Sequence, residues 1–300
     1  MAFIAINLSF MHNTGFKASF SLLHTDYVQL NKSWNYREVM SPFYRIYLID
    51  GGQGSLGDTD QALVLEQGYL YLIPSFTRCD HSCQDWLSQY YVHILEENPT
   101  GLSLFAYSRR VIKIESKPED VILFKRLLHL NPGRDLRRSD DPREYQKQPL
   151  LKDFKQRNND IPFADYLETN GLILQLLSRF LINEEWLLAQ QTRIPAKIQL
   201  AINYIQMHLS SPITVTALAE HVNQSAHYFS KLFLQATGQR PLEYLVQKRI
   251  EKAQFLMLTT SLSLSEIAIE TGFDSLSYFS RSFKKVTGQS ASQYSRANIF

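Results

Sequence analysis

Only two of the 300 residues are cysteines, Cys79 and Cys83. Two thiols cannot build a disulfide framework, which fits a reducing compartment. No uncharged apolar run approaches the ~18–20 residues that a membrane helix needs. The longest apolar stretch, Leu172 to Ile182, is interrupted by Gln175 and Arg179. The opening Met-Ala-Phe-Ile has no basic segment of the kind that starts a secretory signal, so a cytoplasmic location without membrane contact is expected. Charge of one sign is also scarce, with a net of +2. With 44% hydrophobic and 20% charged residues the chain can bury a sizeable core, and its length suits one or two domains.

The small net charge hides an asymmetry. Residues 195–300 hold ten Lys/Arg against six Asp/Glu, while the remainder is slightly acidic. A basic final third permits a polyanionic partner without proving one.

Residues 34–107 are crowded with aromatics in short β-type runs. Phe43 to Ile49 is followed by a Gly51-Gly52-Gln53-Gly54 turn, then Ala62 to Leu65, Gly68, and Tyr69 to Ile73 closed by Pro74. Gln89 to Leu95 and Leu102 to Tyr107 complete the set. Such spacing predicts an antiparallel barrel or jelly roll. Helical periodicity begins at Pro118–Leu130 and returns after Asp160, an N-cap with Pro162 in the first turn. There Leu167, Leu174, Leu181 and Leu188 recur at seven-residue steps, a pattern more often core-facing than a zipper. Gly171 and a spread of apolar residues would let this helix pack on the barrel and on a second copy of the chain, so a homodimer is expected.

An internal repeat is the most informative feature. Tyr228 to Tyr244 reads YFSKLFLQATGQRPLEY, and Tyr278 to Tyr294 reads YFSRSFKKVTGQSASQY. Tyr, Phe, Ser, Phe, Thr, Gly, Gln and Tyr recur at an offset of 50. Each copy reads as helix, tight turn, helix. Thr214 and Ser225 cap the helices of the first copy, with Asn223 at a turn position that needs positive φ. Ser263 to Glu266 is a capping box in the second, Gly272 holds the turn, and Asp274 or Ser275 caps the last helix. Pro241 opens a connecting helix to about Leu258. Phe229 with Phe233, and Phe279 with Phe283, would face the core. The opposite faces carry Ala226, His227, Ser230 and Lys231 in one copy, and Ser275, Leu276, Ser277, Ser280, Arg281, Lys284 and Lys285 in the other. Short polar and basic side chains there suit a DNA major groove. A single copy would read equally well as an ordinary bundle with solvated faces.

Residues 197 to 296 resemble the double helix-turn-helix domain of AraC/XylS-type transcription regulators. The likeness rests on Ile267-Ala268, Gly272-Phe273, Ser277 to Arg281, Phe283 to Lys285 and Gly288. Departures are Ala291 in place of a proline, Tyr294-Ser295 in place of Tyr-Arg, and Lys231 in place of a common arginine. Gly68 to Pro74 and Ser41 to Tyr47 resemble strands of the family's cupin-like sensor barrel. The resemblance implies an α+β chain. A cupin-like antiparallel β-barrel with appended helices precedes an all-α domain of two helix-turn-helix units. The expected divisions are a sensor barrel over 1–110, a helical dimerisation segment over 111–190, a linker over 191–196 and a DNA-binding domain over 197–300.

Trp34, Tyr36, Tyr44, Tyr47, Tyr71, Phe76, Tyr90 and Tyr91 would either fill a small barrel or line a pocket. With Arg45, Arg78 and His81 they would suit a sugar or small acid. Strand alternation forbids Arg78 and His81 from both facing inward, and Arg45 shares a face with Phe43 and Tyr47. Arg45, Tyr47, Tyr71 and His81 are therefore the expected ligand contacts. Cys79, His81 and Cys83 alternate and, with His93, would offer zinc a site. The plainer reading is buried thiols beside a histidine at the barrel mouth. No cofactor and no catalysis are expected. The expected partners are double-stranded DNA, a second copy, a small polar ligand and RNA polymerase. The competing readings are a metal-dependent cupin enzyme fused to a DNA reader, and a barrel that only dimerises.

Overall fold

The computed structural model describes residues 19–58, 61–97, 104–105, 109–136, 141, 157–181 and 194–297. They form two compact units, 19–181 and 194–297.

Among the described residues, the first unit is a seven-stranded antiparallel sheet with two long helices packed on it. Its strands are β1 (Phe20–Asn31), β2 (Asn35–Val39), β3 (Tyr44–Asp58), β4 (Gln61–Leu65), β5 (Tyr69–Ile73), β6 (Cys79–Glu96) and β7 (Ile112–Glu115). The helices are α1 (Pro118–Leu130) and α2 (Phe163–Leu181). Pairing runs β1-β6-β3-β5-β7, with β2 on β6 and β4 on β3. Side chains alternate across the sheet, and both faces are buried. Tyr44, Ile46, Leu48, Leu70, Leu72, Val92 and Ile94 pack on Phe124 and Leu127 of α1 and on Ile173, Leu176 and Phe180 of α2. Arg45, Tyr47, Tyr71, Tyr91 and His93 are buried at the intervening positions.

Two sequence expectations change here. Gly51-Gly52-Gln53-Gly54 is not a turn between strands but the middle of β3, where its register against β6 shifts twice. A Cβ on Gly51 would sit 2.9 Å from the Trp86 ring, and one on Gly52 only 2.3 Å from the Trp86 carbonyl oxygen. Glycine thus lets β3 press against β6 and bend. The second change concerns closure. Among the described residues the pairing path begins at β1 and ends at β7, so the sheet is open where a closed barrel was expected. The bend supplies the enclosure instead. Arg45 pairs with His93 in one half of the ladder and Leu56 with His81 in the other, yet the Arg45 and His81 side chains touch. Of the run Leu102 to Tyr107, Leu104 and Phe105 form a turn, and the rest lies outside the described residues.

The second unit is all helical: α3 (Ala196–Met207), α4 (Val215–His221), α5 (Ala226–Thr237), α6 (Pro241–Thr259), α7 (Leu264–Glu270), α8 (Leu276–Thr287) and α9 (Ala291–Ala297). Oγ1 of Thr214 and the Oγ atoms of Ser225, Ser263 and Ser275 each accept a backbone N–H in the first turn that follows. Gly238 and Gly288 close α5 and α8 in the left-handed region, at φ 73° and 81°.

The repeated residues do the same work in both copies. Phe229 and Phe233 are buried as Phe279 and Phe283 are. Tyr244 meets Phe233 edge-on at 5.5 Å, and Tyr294 meets Phe283 at 5.4 Å. The hydroxyls of Thr237 and Thr287 donate to the carbonyls of Phe233 and Phe283, both at 2.8 Å.

Connector α6 joins the copies. Buried Arg249 donates through Nε to Leu209 O at 2.9 Å and through Nη2 to Ser211 O at 2.8 Å, holding the chain after α3. Its guanidinium also lies 5.8 Å from the centre of the Phe273 ring, just past the second turn. Both turn residues have positive φ, Asn223 at 51° and Gly272 at 80°. Only Gly272 is also crowded: a Cβ there would lie 2.6 Å from Leu209 O and 2.9 Å from Arg249 Nη2.

Gly272→Ala should therefore destabilise the second unit by about 1–3 kcal/mol, through strain and collision together. Arg249→Ala should cost about 2–4 kcal/mol by leaving two carbonyls without a charged donor. Urea unfolding followed by far-ultraviolet ellipticity measures both, and unchanged midpoints would contradict the clamp.

Candidate nucleic-acid interface and interior polar cluster

Helices α5 and α8 each bury one face through their paired phenylalanines and turn the other to solvent. On α5, His227 and Lys231 are exposed, with Ala226 and Ser230 half-buried. On α8 and its cap, Ser275, Leu276, Ser277, Ser280, Arg281, Lys284 and Lys285 are all exposed. Helical spacing aligns His227 with Ser230 and Lys231, and Ser277 with Ser280, Arg281 and Lys284. Ser275 has a structural duty as well, since its Oγ accepts the Tyr278 N–H at 3.2 Å. The cations are uneven, with Arg281, Lys284 and Lys285 on α8 against Lys231 alone on α5. Sequence reasoning passed over Tyr228 and Tyr278 as candidates. They are identical in both copies yet 54% and 40% exposed, a combination that core packing does not explain.

The first unit encloses a second group of polar side chains. Arg45, His81 and Tyr47 come together there, all essentially inaccessible to water. Arg45 Nη1 lies 3.1 Å from His81 Nε2, and His81 Nδ1 lies 3.1 Å from the Cys79 carbonyl. The carbonyl only accepts and the guanidinium only donates. His81 must therefore carry its proton on Nδ1 and stay neutral. Burial, then the Arg45 charge, holds its pKa well below the ordinary value. Burial and the Arg134 charge push His24 down to about 3. His93 is depressed by burial, then by His24, Arg45 and His81. The Nδ1 atoms of His24 and His93 are 3.1 Å apart. Burial raises the Tyr47 phenol to about 12 and also raises the Cys79 thiol. Trp34 closes the group edge-on to His81, with ring centres 5.0 Å apart.

The other sequence candidates separate from this group. Arg78 points outward and pairs with Glu38 at 3.3 Å. Tyr71 shares the inner face, but its hydroxyl donates to Val64 O and accepts from Glu66 N, each at 2.9 Å. Cys79, His81 and Cys83 do share one buried side of β6, as alternation requires. However, both His81 nitrogens are engaged, and a neighbouring guanidinium opposes a dication. Among the described residues no group of three or more His, Cys, Asp or Glu side chains is placed to hold a metal. His24 was missed because β1 itself was missed. Its signal was the run Phe20-Ser-Leu-Leu-His-Thr, a polar ring inside an apolar stretch.

Helix α2 corrects the leucine pattern. Leu172, Ile173, Leu176, Leu177 and Phe180 face the core, while Leu167 and Leu174 are exposed together with Phe163. A period of 3.6, not seven, selects the buried set. Leu181 packs partly against the core, and Leu188 lies outside the described residues.

Comparison with known proteins agrees with the helical unit. Residues 218–297 match a family described as a helix-turn-helix domain. The arabinose operon regulatory protein of Salmonella typhimurium is 33% identical over 133 residues, 44% of this chain and 46% of its own. The HTH-type transcriptional activator Btr of Bacillus subtilis is 38% identical over 94 residues, 31% of this chain and 18% of its own. The chain thus spans less than half the length of these curated relatives. ToxT from Vibrio cholerae, in a structure bound to (E)-4-(8-methylnaphthalen-1-yl)but-3-enoic acid, has a TM-score of 0.50 at 14% identity. That match covers 94% of this chain and 100% of the other, and at such identity it shows a shared fold alone.

The interior histidines set a pH dependence. In the unfolded chain they take up protons near pH 6.5, but His24 in the fold resists down to about 3. The unfolded state therefore binds more protons between those values, and stability falls as pH drops through that window. Each buried histidine contributes a slope of up to about 1.4 kcal/mol per pH unit. Trp34 and Trp86 lie in this unit and residues 194–297 contain no tryptophan, so tryptophan fluorescence distinguishes it from the helical unit. Urea midpoints read by fluorescence should fall between pH 7 and pH 5.5. A flat profile would mean that the histidines are solvated.

Proposed function

We propose that the protein, whose residues 218–297 match a helix-turn-helix domain family, is a sequence-specific DNA-binding transcription regulator of the AraC/XylS type, controlled by a small molecule. The duplicated core carries this reading. Two sets of buried residues match position for position, and each presents a polar, basic helix face. Helices α5 and α8 enter successive major-groove segments about 34 Å apart. Arg281 reads a base edge, and Lys284 and Lys285 hold phosphates. His227, Ser230, Lys231, Ser277 and Ser280 complete the two reading faces. In this reading the chain is not an enzyme and works in the cytoplasm, where RNA polymerase is a further partner.

The open, curled sheet, with β7 reaching past residue 110, serves as a cupin-like sensor, with Arg45, Tyr47 and His81 as the effector site. Residues 111–190 form the dimerisation segment, and 191–196 form a linker to the reader at 197–300. Phe163, Leu167 and Leu174 are the apolar strip that meets a second copy, because α2 already buries its opposite face in its own core. A ligand would act by favouring one arrangement of sensor and reader through its differential affinity for the two.

Fragments of genomic DNA selected by the full-length protein supply the operator for testing. Arg281→Ala should weaken that site by about 1–3 kcal/mol and relax one base position. Lys284→Ala or Lys285→Ala should weaken all duplexes alike and flatten the salt dependence. Equal binding of every duplex by the wild type would end the proposal. Leu167→Glu with Leu174→Glu should leave the fold intact and give monomers in sedimentation, whereas a wild type already monomeric at tens of micromolar would remove the dimer.

A further inference from the structure

The geometry around Arg45 points to a carboxylate as the chemical class of the effector, an inference that rests on the sensor reading above. An arginine keeps its charge wherever it is placed, and burying one without a counter-charge is unfavourable. Arg45 is 0% exposed and forms no ion pair among the described residues. Its structural neighbours do not compensate it. His81 is neutral and offers the guanidinium only one of its nitrogens, His93 is an uncharged ring, and Tyr47 and Cys79 keep their protons near neutral pH.

The pattern of used and unused donors is more specific still. Nη1 is spent on His81. Nε and Nη2 are buried and make no hydrogen bond. Those two N–H groups lie side by side along one edge of the guanidinium, and that edge matches the two oxygens of a carboxylate. A neutral sugar hydroxyl would satisfy the donors but leave the charge uncompensated. A phosphate dianion would bring more charge and more acceptors than this single edge can meet. The Tyr47 hydroxyl, which lies next to the guanidinium, and the buried indole N–H of Trp34 are further donors for the same group. The side-chain rings of Trp34 and Phe43 supply an apolar wall for the body of the acid. Because these polar atoms are inaccessible in the closed form, the acid enters when the curled sheet opens, and it stabilises the closed form on binding.

Thermal unfolding of the full-length protein tests this with acids paired to their primary amides: propionate with propionamide, hexanoate with hexanamide, phenylacetate with phenylacetamide. At least one acid should raise the wild-type melting temperature by about 3 °C or more while its amide does not. Arg45→Met, which removes the charge and keeps the length, should melt higher than the wild type without ligand and lose the response. A wild-type curve that no acid moves overturns the carboxylate site, whatever Arg45→Met does. Amides or neutral sugars that stabilise the wild type as well as the acids overturn it too, but leave an effector site standing. If no compound acts and Arg45→Met is no more stable than the wild type, the sensor reading falls with it.

Discussion

The helical unit depends on one buried guanidinium. Arg249 projects from the connector, ties down the carbonyls after α3, and presses against the turn that precedes α8. The first helix-turn-helix and the second therefore do not hang independently from α6. Lys252, one turn along, repeats the bridge by reaching Ser210 Oγ at 3.3 Å and Glu270 O at 3.0 Å. If the unit reads DNA as proposed, two helices that meet successive groove segments need a fixed separation, and these side chains would set it from the inside. The requirement also explains why the two turns use different residues. Asn223 is exposed and keeps a side chain at positive φ, whereas a Cβ on Gly272 would meet the very carbonyl that Arg249 binds.

The sheet unit is organised on a different principle. Its helix-facing side is apolar throughout and supplies the stability. Its inner side gathers an arginine, three histidines and several aromatic rings, a set that no folding requirement calls for. Polar groups enclosed in this way cost stability unless something satisfies them. Such a cost is tolerated at sites of function more readily than elsewhere. The glycine run in β3 makes the enclosure possible, because close approach to Trp86 bends the long β3–β6 ladder until residues from its separate halves touch.

What could be read from the residues divides along the same line. Helix ends were legible because caps act locally: Thr214, Ser225, Ser263, Gly238 and Gly288 each announce themselves within a few positions. Repetition did the rest, since two aligned copies separate buried from exposed positions without a structure. The sheet resisted for the opposite reason. Strand partners lie tens of residues apart, and a glycine run that normally signals a turn here signals a bend. Strand β1 went unseen because its alternation is broken by a bulge between Leu22 and His24. Alternation still placed Arg45 and His81 inward and Arg78 outward, because period two survives on a bent strand. The seven-residue leucine step misled, as its members Leu167 and Leu174 fall on the face that the core leaves uncovered.

The duplication has a final consequence in what it does not copy. Phenylalanines, threonines and glycines recur, and so do the exposed Tyr228 and Tyr278, but several other exposed positions have diverged: His227 answers to Ser277, Lys231 to Arg281, Leu234 to Lys284 and Gln235 to Lys285. One scaffold thus carries two unlike vocabularies. A DNA sequence read by a single chain would therefore have a head and a tail, a base-selective, strongly charged half and a weaker, more apolar one. Polarity would be written into each half-site before any second subunit arrives. Two chains bound side by side could then be told apart by direction alone, so the same pair of half-sites would mean different things when one is inverted.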